Sequence, residues 1–170
     1  MALIKSLNNL HPIIAADVFL ADNATIIGDV SIAKGSSVWF NSTIRGDVNS
    51  IVIGNNVNIQ DGVVVHCTYQ KTNTIISNNV SIGHNAIIHG CKIEDNVLIG
   101  MGSIIMDGAI IQKNSIVAAG SVVTKNTLVK SGSVFAGVPA KLIRTISEEE
   151  INALTNKMAD SYIKYSSWYL

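Results

Sequence analysis

The sequence is poor in charge: 14% of its 170 residues are Asp, Glu, Lys or Arg, and the formal net charge is zero. No basic stripe is available to track a phosphate backbone, which excludes nucleic acid as an expected partner. No stretch approaches the ~18 consecutive apolar residues of a membrane span. The opening segment MALIKSLNNL lacks the apolar run and cleavage pattern of a secretion signal. No membrane association is expected, and the cytoplasm is the expected location. Two cysteines, Cys67 and Cys91, are too few for a disulfide framework, so reduced thiols are expected. Aromatics reach only 5%, and proline appears twice. What is abundant is Ile and Val, with frequent Asn and Gly. These favour short strands joined by tight corners. The length suits a single domain with a real core.

Aliphatic residues recur every six positions. The series Ile14, Leu20, Ile26, Ile32, Val38 and Ile44 resumes at Ile53, Ile59 and Val65, then at Ile76, Ile82 and Ile88. It continues through Ile93, Ile99, Ile105, Ile111, Val117, Val123 and Val129. Four residues after most anchors comes a small one, such as Ala24, Ser42, Ala86 or Ser103. A period of six is neither helical nor simple alternation. It fits an all-β solenoid in which three short strands make one triangular coil and the anchors stack ~4.8 Å apart. A β-sandwich, with strands at spacings of ~8–12 residues, does not keep so strict a register.

The spacing breaks three times. Ile44 to Ile53 spans nine residues, Val65 to Ile76 eleven, and Ile88 to Ile93 only five. Insertions in solenoids fall on corners and often border the functional face. From Ser147 the pattern becomes helical: Ser147 and Glu150 form a capping box, and Ile151, Leu154, Met158, Tyr162, Tyr165 and Tyr169 follow at helical spacing. Residues 1–146 are therefore read as the coils and 147–170 as a helix packed along one side. The segment GVPAKLIRTI reads as the exit from the solenoid.

The register serves as a ruler. If Val65 lies on face A, Ile76 opens face B, Ile82 face C, and Ile88 returns to A. His66 and His89, each following an anchor, then point outward from face A one coil apart, with Arg45 below them. Asp61 and His84 occupy equivalent positions on face C near the adjoining corner, and Gln60 sits beside Asp61. Three of the four histidines thus gather at one edge of the prism. His11 lies ahead of the repeat and reads as structural or solvated. Two imidazoles at strand spacing can turn toward one ion, and a catalytic zinc site uses three protein ligands plus an open position. A flat face surrounds a metal poorly, so a neighbouring subunit is expected to complete the set His66, His84 and His89. Cys67 and Cys91 suit packing rather than ligation. Trp39, outward on face C, is read as an anchor between subunits.

The repeat, with VWFNSTIRGD (38–47), NIQDGVVVH (58–66) and GHNAIIHGCKI (83–93), closely resembles the γ-class carbonic anhydrases. The likeness runs from Ile13 to the C-terminal helix. It implies a left-handed parallel β-helix assembled as a homotrimer with metal sites at subunit interfaces. His66 and His89 would come from one subunit and His84 from its neighbour, holding Zn2+, or Fe2+ or Co2+. It also implies reversible hydration of carbon dioxide to bicarbonate by metal-activated water. Arg45 and Asp47 match the family's salt-bridging pair, Gln60 and Asp61 the pair that orients water and substrate, and Asn58 a position near the site. Asp61 is expected to meet Arg45 of a partner or solvent. Tyr162 matches a C-terminal tyrosine that approaches the metal in some short members.

The sequence departs from the archetype in two places. Val48 stands where a Glu follows the Arg-x-Asp motif, and the loop CTYQKTNT (67–74) has none of the carboxylates that export protons. This resembles the family's short form, from which weak activity is expected. Two alternatives share the scaffold: an acyl-CoA transferase or thioesterase, and a non-catalytic trimeric scaffold subunit.

Overall fold

Each anchor of the repeat points into a prism-shaped interior. In the computed structural model, which describes residues 1–169 except the side chain of Asn156, every anchor from Ile26 to Val129 is at most 3% exposed. Burial of one such side chain contributes about 1.5–3 kcal/mol. Ile14 and Leu20 in the first coil are only partly covered. The coils form a parallel β-solenoid of about seven turns.

Corners explain the asparagines. Asn41, Asn56, Asn79, Asn85, Asn96, Asn114 and Asn126 all have φ between 55° and 59°. Asn reaches this left-handed region more cheaply than other residues with a Cβ, so it marks where the chain turns. Buried serines tie one coil to the next: Ser42 Oγ donates to the Gln60 carbonyl at 2.7 Å, and Ser103 Oγ to that of Ala118 at 2.9 Å. Among the described residues, no buried side-chain nitrogen or oxygen lacks a partner.

The strand pairing follows the six-residue ruler. Val65 pairs with Ile88 on face A, Ile53 with Ile76 on face B, and Ile59 with Ile82 on face C. The long strand Thr43–Ile53 bends from A to B and joins these faces in one sheet, while face C forms a second. The exit segment is more than a connection. Ser133–Gly137 continues face C in parallel with Ile116–Val117, then pairs antiparallel with Ala140–Thr145.

The helix Glu148–Ser166, here α1, lies along face C. Ser147 Oγ accepts from the Glu150 N–H at 3.1 Å, which is half of a capping box. The Glu150 carboxylate does not complete it; it turns instead to Arg144. Ile151 and Thr155 are buried, whereas Leu154 and Tyr165 sit at the margin. Seven of the nine aromatic residues meet where the end of this helix crosses the coils. Trp39 lies 5.0 Å from Phe19, 5.2 Å from Tyr162 and 5.9 Å from Tyr169 between ring centroids. Phe40, Tyr165 and Trp168 extend the cluster. Trp39 is therefore not the exposed anchor expected from its outward position, because the chain's own helix covers it to 5% exposure. No helix among the described residues is long and apolar enough to cross a membrane.

Candidate metal centre

On face A the residue after each anchor points outward, and the strand register puts Arg45, His66 and His89 in one column. The strands Val64–His66 and Ile87–His89 are neighbours, and the two imidazoles lie 5.3 Å apart between centroids. Each ring has a carboxylate on its far side. His66 Nε2 is 2.9 Å from Asp47 Oδ1, and His89 Nδ1 is 3.1 Å from Asp107 Oδ2.

Both carboxyls lie below their ordinary range. For Asp47, burial pushes upward but is outweighed by hydrogen bonds from Arg45 and His66 and by the Arg45 charge. For Asp107, burial is likewise outweighed by Thr68, Thr72 and His89. An ionised carboxylate only accepts, so the ring nitrogen facing it carries the proton. In a neutral imidazole the other nitrogen is then a bare lone pair. These two atoms, His66 Nδ1 and His89 Nε2, face each other at 3.3 Å. A shared cation satisfies both lone pairs. Two metal–nitrogen bonds of ~2.0–2.1 Å at the tetrahedral angle place their nitrogens roughly 3.3–3.4 Å apart. The pair therefore fits a tetrahedral divalent metal.

His84 lies elsewhere, just past the Ser81–Ile82 strand of face C. Its Nδ1 is 2.9 Å from Asp61 Oδ2, and its Nε2 is 3.5 Å from the Tyr162 hydroxyl. Among the described residues, no group of three or more His, Cys, Asp or Glu is gathered to hold a metal. One chain brings two of the three expected ligands together, and the register keeps the third on another face.

The expected neighbours of the histidines are partly rearranged. Asp61 holds His84, and Arg45 reaches Asp47 of its own chain at 2.5 Å. Gln60 is buried, donates to Asn58 Oδ1 at 3.0 Å, and Asn58 in turn donates to Ser81 Oγ. The Tyr162 phenol is pushed up to about 12 by burial and by the nearby Asp61 and Tyr165, so it remains a hydroxyl donor. Cys67 and Cys91 are buried packing residues, and burial pushes the Cys91 thiol up to about 12. His11 meets Ser6 at the exposed N-terminal end. The sequence reading passed over Asp107. The ruler does place it: with Ile88 opposite Ile105, Asp107 falls one coil above Gly90, directly beside His89.

Two of the grooves that border Tyr162 also reach His84. One of about 560 Å3 runs between α1 and the coils, walled by Leu98, Met101, Leu154 and Met158 and ending at Gln60 and His84. The other, about 460 Å3, opens among Trp39, Phe40, Asp61, His84 and Trp168.

Residues 90–125 match the family model described as bacterial transferase hexapeptide (six repeats), and residues 73–105 that of the hexapeptide repeat of succinyl-transferase. A Methanocaldococcus jannaschii protein named "Probable carbonic anhydrase" is 52% identical over 153 residues, covering 90% of this chain and 95% of that protein. Gamma carbonic anhydrase 2, mitochondrial, of Arabidopsis thaliana is 46% identical over 159 residues, 89% of this chain and 56% of that one. The chain belongs to the γ-class carbonic anhydrase family. This γ-class chain also matches a solved hexapeptide transferase family protein from Anaplasma phagocytophilum, with a TM-score of 0.92 and 43% identity over 99% of this chain and 98% of that one. The γ-class fold, a left-handed parallel β-helix, is thus shared with a protein named as a transferase.

Proposed function

We propose that this protein is a metal-dependent carbonic anhydrase interconverting carbon dioxide and bicarbonate. The observation that carries the reading is the facing pair His66 Nδ1 and His89 Nε2, 3.3 Å apart, with their outer nitrogens turned to Asp47 and Asp107. His66 and His89 would hold the metal together with His84 of a neighbouring copy, making the working form a homotrimer with sites between subunits. Three imidazoles suit Zn2+, and Fe2+ or Co2+ also suits nitrogen ligands. Such an ion, when bound, acidifies water and stabilises negative charge on oxygen.

The chain's own residues supply the remainder. Asp47, Asp61 and Asp107 each fix one histidine ring, as carboxylates commonly do behind metal-bound histidines. Arg45 balances the charge of Asp47. Gln60, fixed by Asn58, lines the groove that reaches His84 and would hold a water or bicarbonate there. The apolar groove wall suits an apolar gas. With Val48 and no carboxylate in residues 67–73, proton export is slow and turnover weak. Residence in the cytoplasm is part of the same proposal, supported by two unpaired cysteines.

Metal analysis and stopped-flow carbon dioxide hydration on anaerobically purified protein test this reading. The expected result is a bound divalent metal, hydration above background, and loss of the metal in His84→Ala with the coils intact by circular dichroism. A folded, metal-free protein without activity overturns it. The apolar groove beside the His84–Asp61 pair favours one second reading, acyl-CoA transfer or thioester hydrolysis. Acyl-CoA turnover without hydration selects that reading, and metal with neither activity selects a scaffold role.

A further inference from the structure

The two corners that break the six-residue period by insertion bear on one side chain, Asp107, the second directly and the first through the second. Its Oδ2 accepts from His89 Nδ1 at 3.1 Å, and its Oδ1 accepts from Thr68 Oγ1 at 2.6 Å and Thr72 Oγ1 at 3.0 Å. Both threonines belong to the second insertion. That loop is itself tied: the Thr68 N–H donates to Thr72 Oγ1, and Asn49, from the first insertion, donates its amide to the carbonyls of Thr68 and Thr72, both at 2.9 Å.

The third break in the period makes room for the carboxylate. Gly90, one coil below Asp107, has φ +57°, and a Cβ there would lie 2.4 Å from Asp107 Oδ1 and 2.2 Å from Thr72 Oγ1. A side chain at position 90 cannot coexist with the threonine–carboxylate bonds as they stand. Asp107 Oδ1 is thus held by two threonine hydroxyls, with Oδ2 left for His89. These fixed contacts leave the imidazole little freedom to rotate or change tautomer.

We propose that Asp107 is the positioning residue for His89, and that the 67–73 loop serves in this protein to brace it. The bracing keeps the proton on His89 Nδ1 and directs the Nε2 lone pair at His66 Nδ1. This rests on the reading of His66 and His89 as metal ligands. It gives the loop a task that needs no carboxylate of its own: the threonines hold the carboxylate that holds the ligand.

Two readouts on the full-length protein test it: the His89 tautomer in the metal-free state, from long-range nitrogen-15 correlations, and the affinity for Zn2+ alone. Wild type is expected to show His89 protonated at Nδ1. Asp107→Ala is expected to release it to the tautomer mixture of an unrestrained imidazole and to weaken Zn2+ binding about 10–100-fold. Thr68→Val with Thr72→Val, which keeps the carboxylate but loosens it, is expected to give a smaller loss in the same direction. Should the alanine variant not fold, Asp107→Asn, of nearly the same shape, carries both readouts. A folded Asp107 variant with the His89 tautomer and Zn2+ affinity of wild type overturns the proposal, because a purely structural Asp107 would leave both unmoved. If wild type binds no Zn2+ yet shows the Nδ1–H tautomer and Asp107→Ala erases it, the positioning role stands and the proposed function falls.

Discussion

Residues 93–129 and residues 44–93 are built from the same coil, but the polar centre lies at the second stretch. In the first, anchors fall every six residues without interruption, and the outward column on face A carries Met106 and Thr124. In the second, the period breaks three times, and the same column carries Arg45, His66 and His89. The breaks supply the partner of His66 and the groups that hold Asp107. Asp47 and Asn49 lie in the first, Thr68 and Thr72 in the second, and Gly90 in the third. Regular stacking sets the two imidazoles one strand apart and brings Asp107 beside His89. The irregular corners add Asp47 behind His66 and the threonines that hold Asp107.

The contrast predicts opposite failures. Ile111→Ala, in the regular stretch, should cost about 2–5 kcal/mol in urea denaturation because its cavity cannot close between fixed coils. Its metal content should match wild type; loss of metal would mean that the two stretches are not separable. Gly90→Ala straddles the boundary. The unfavourable φ and the contacts at 2.2 and 2.4 Å should lower stability by about 1–3 kcal/mol and displace Asp107, reducing metal uptake as well. Unchanged uptake would separate Gly90 from the site.

Asp47→Asn should leave the coils intact and lower metal affinity roughly 10-fold or more, since His66 loses its charged acceptor and Arg45 its partner. Titration calorimetry with Zn2+ measures this. Cys91 offers a probe of the coils alone: buried, with its thiol pushed up to about 12, it should resist iodoacetamide at pH 8 until the protein unfolds. Rapid native labelling would show that the coils open locally. The smallest effect is at the helix start. The Glu150 carboxyl is lowered, first by its hydrogen bond from Arg144, so its contribution is present above the unfolded-state value and disappears as pH falls through the lower folded one. Glu150→Gln should remove that slight acid dependence and little else in thermal melts.

Most of the fold was legible because the period is a direct image of the coil: a buried Ile or Val every sixth residue has no other simple geometry. The same ruler sets His66 beside His89 and His84 one coil from Asp61. Three features went unread. Asp107 carries no motif, and its role depends on a glycine and two threonines distant in sequence. Trp39 reads as outward, but outward on face C means under α1, and the helical stripe alone does not say which face it covers. The 133–145 hairpin breaks the period where the repeat ends, so its antiparallel turn lay beyond the reach of register.

That hairpin has a consequence for the particle as a whole. A stack of parallel coils ends on unpaired amide and carbonyl groups, which invite another coil or another molecule to continue the ladder. On face C the strand Ala140–Thr145 occupies this edge running in the opposite direction. On the other two faces the last strands, Val122–Val123 and Leu128–Val129, are only two residues long. A second copy stacking head to tail would therefore meet, on face C, a strand of the wrong direction for continuing the parallel ladder.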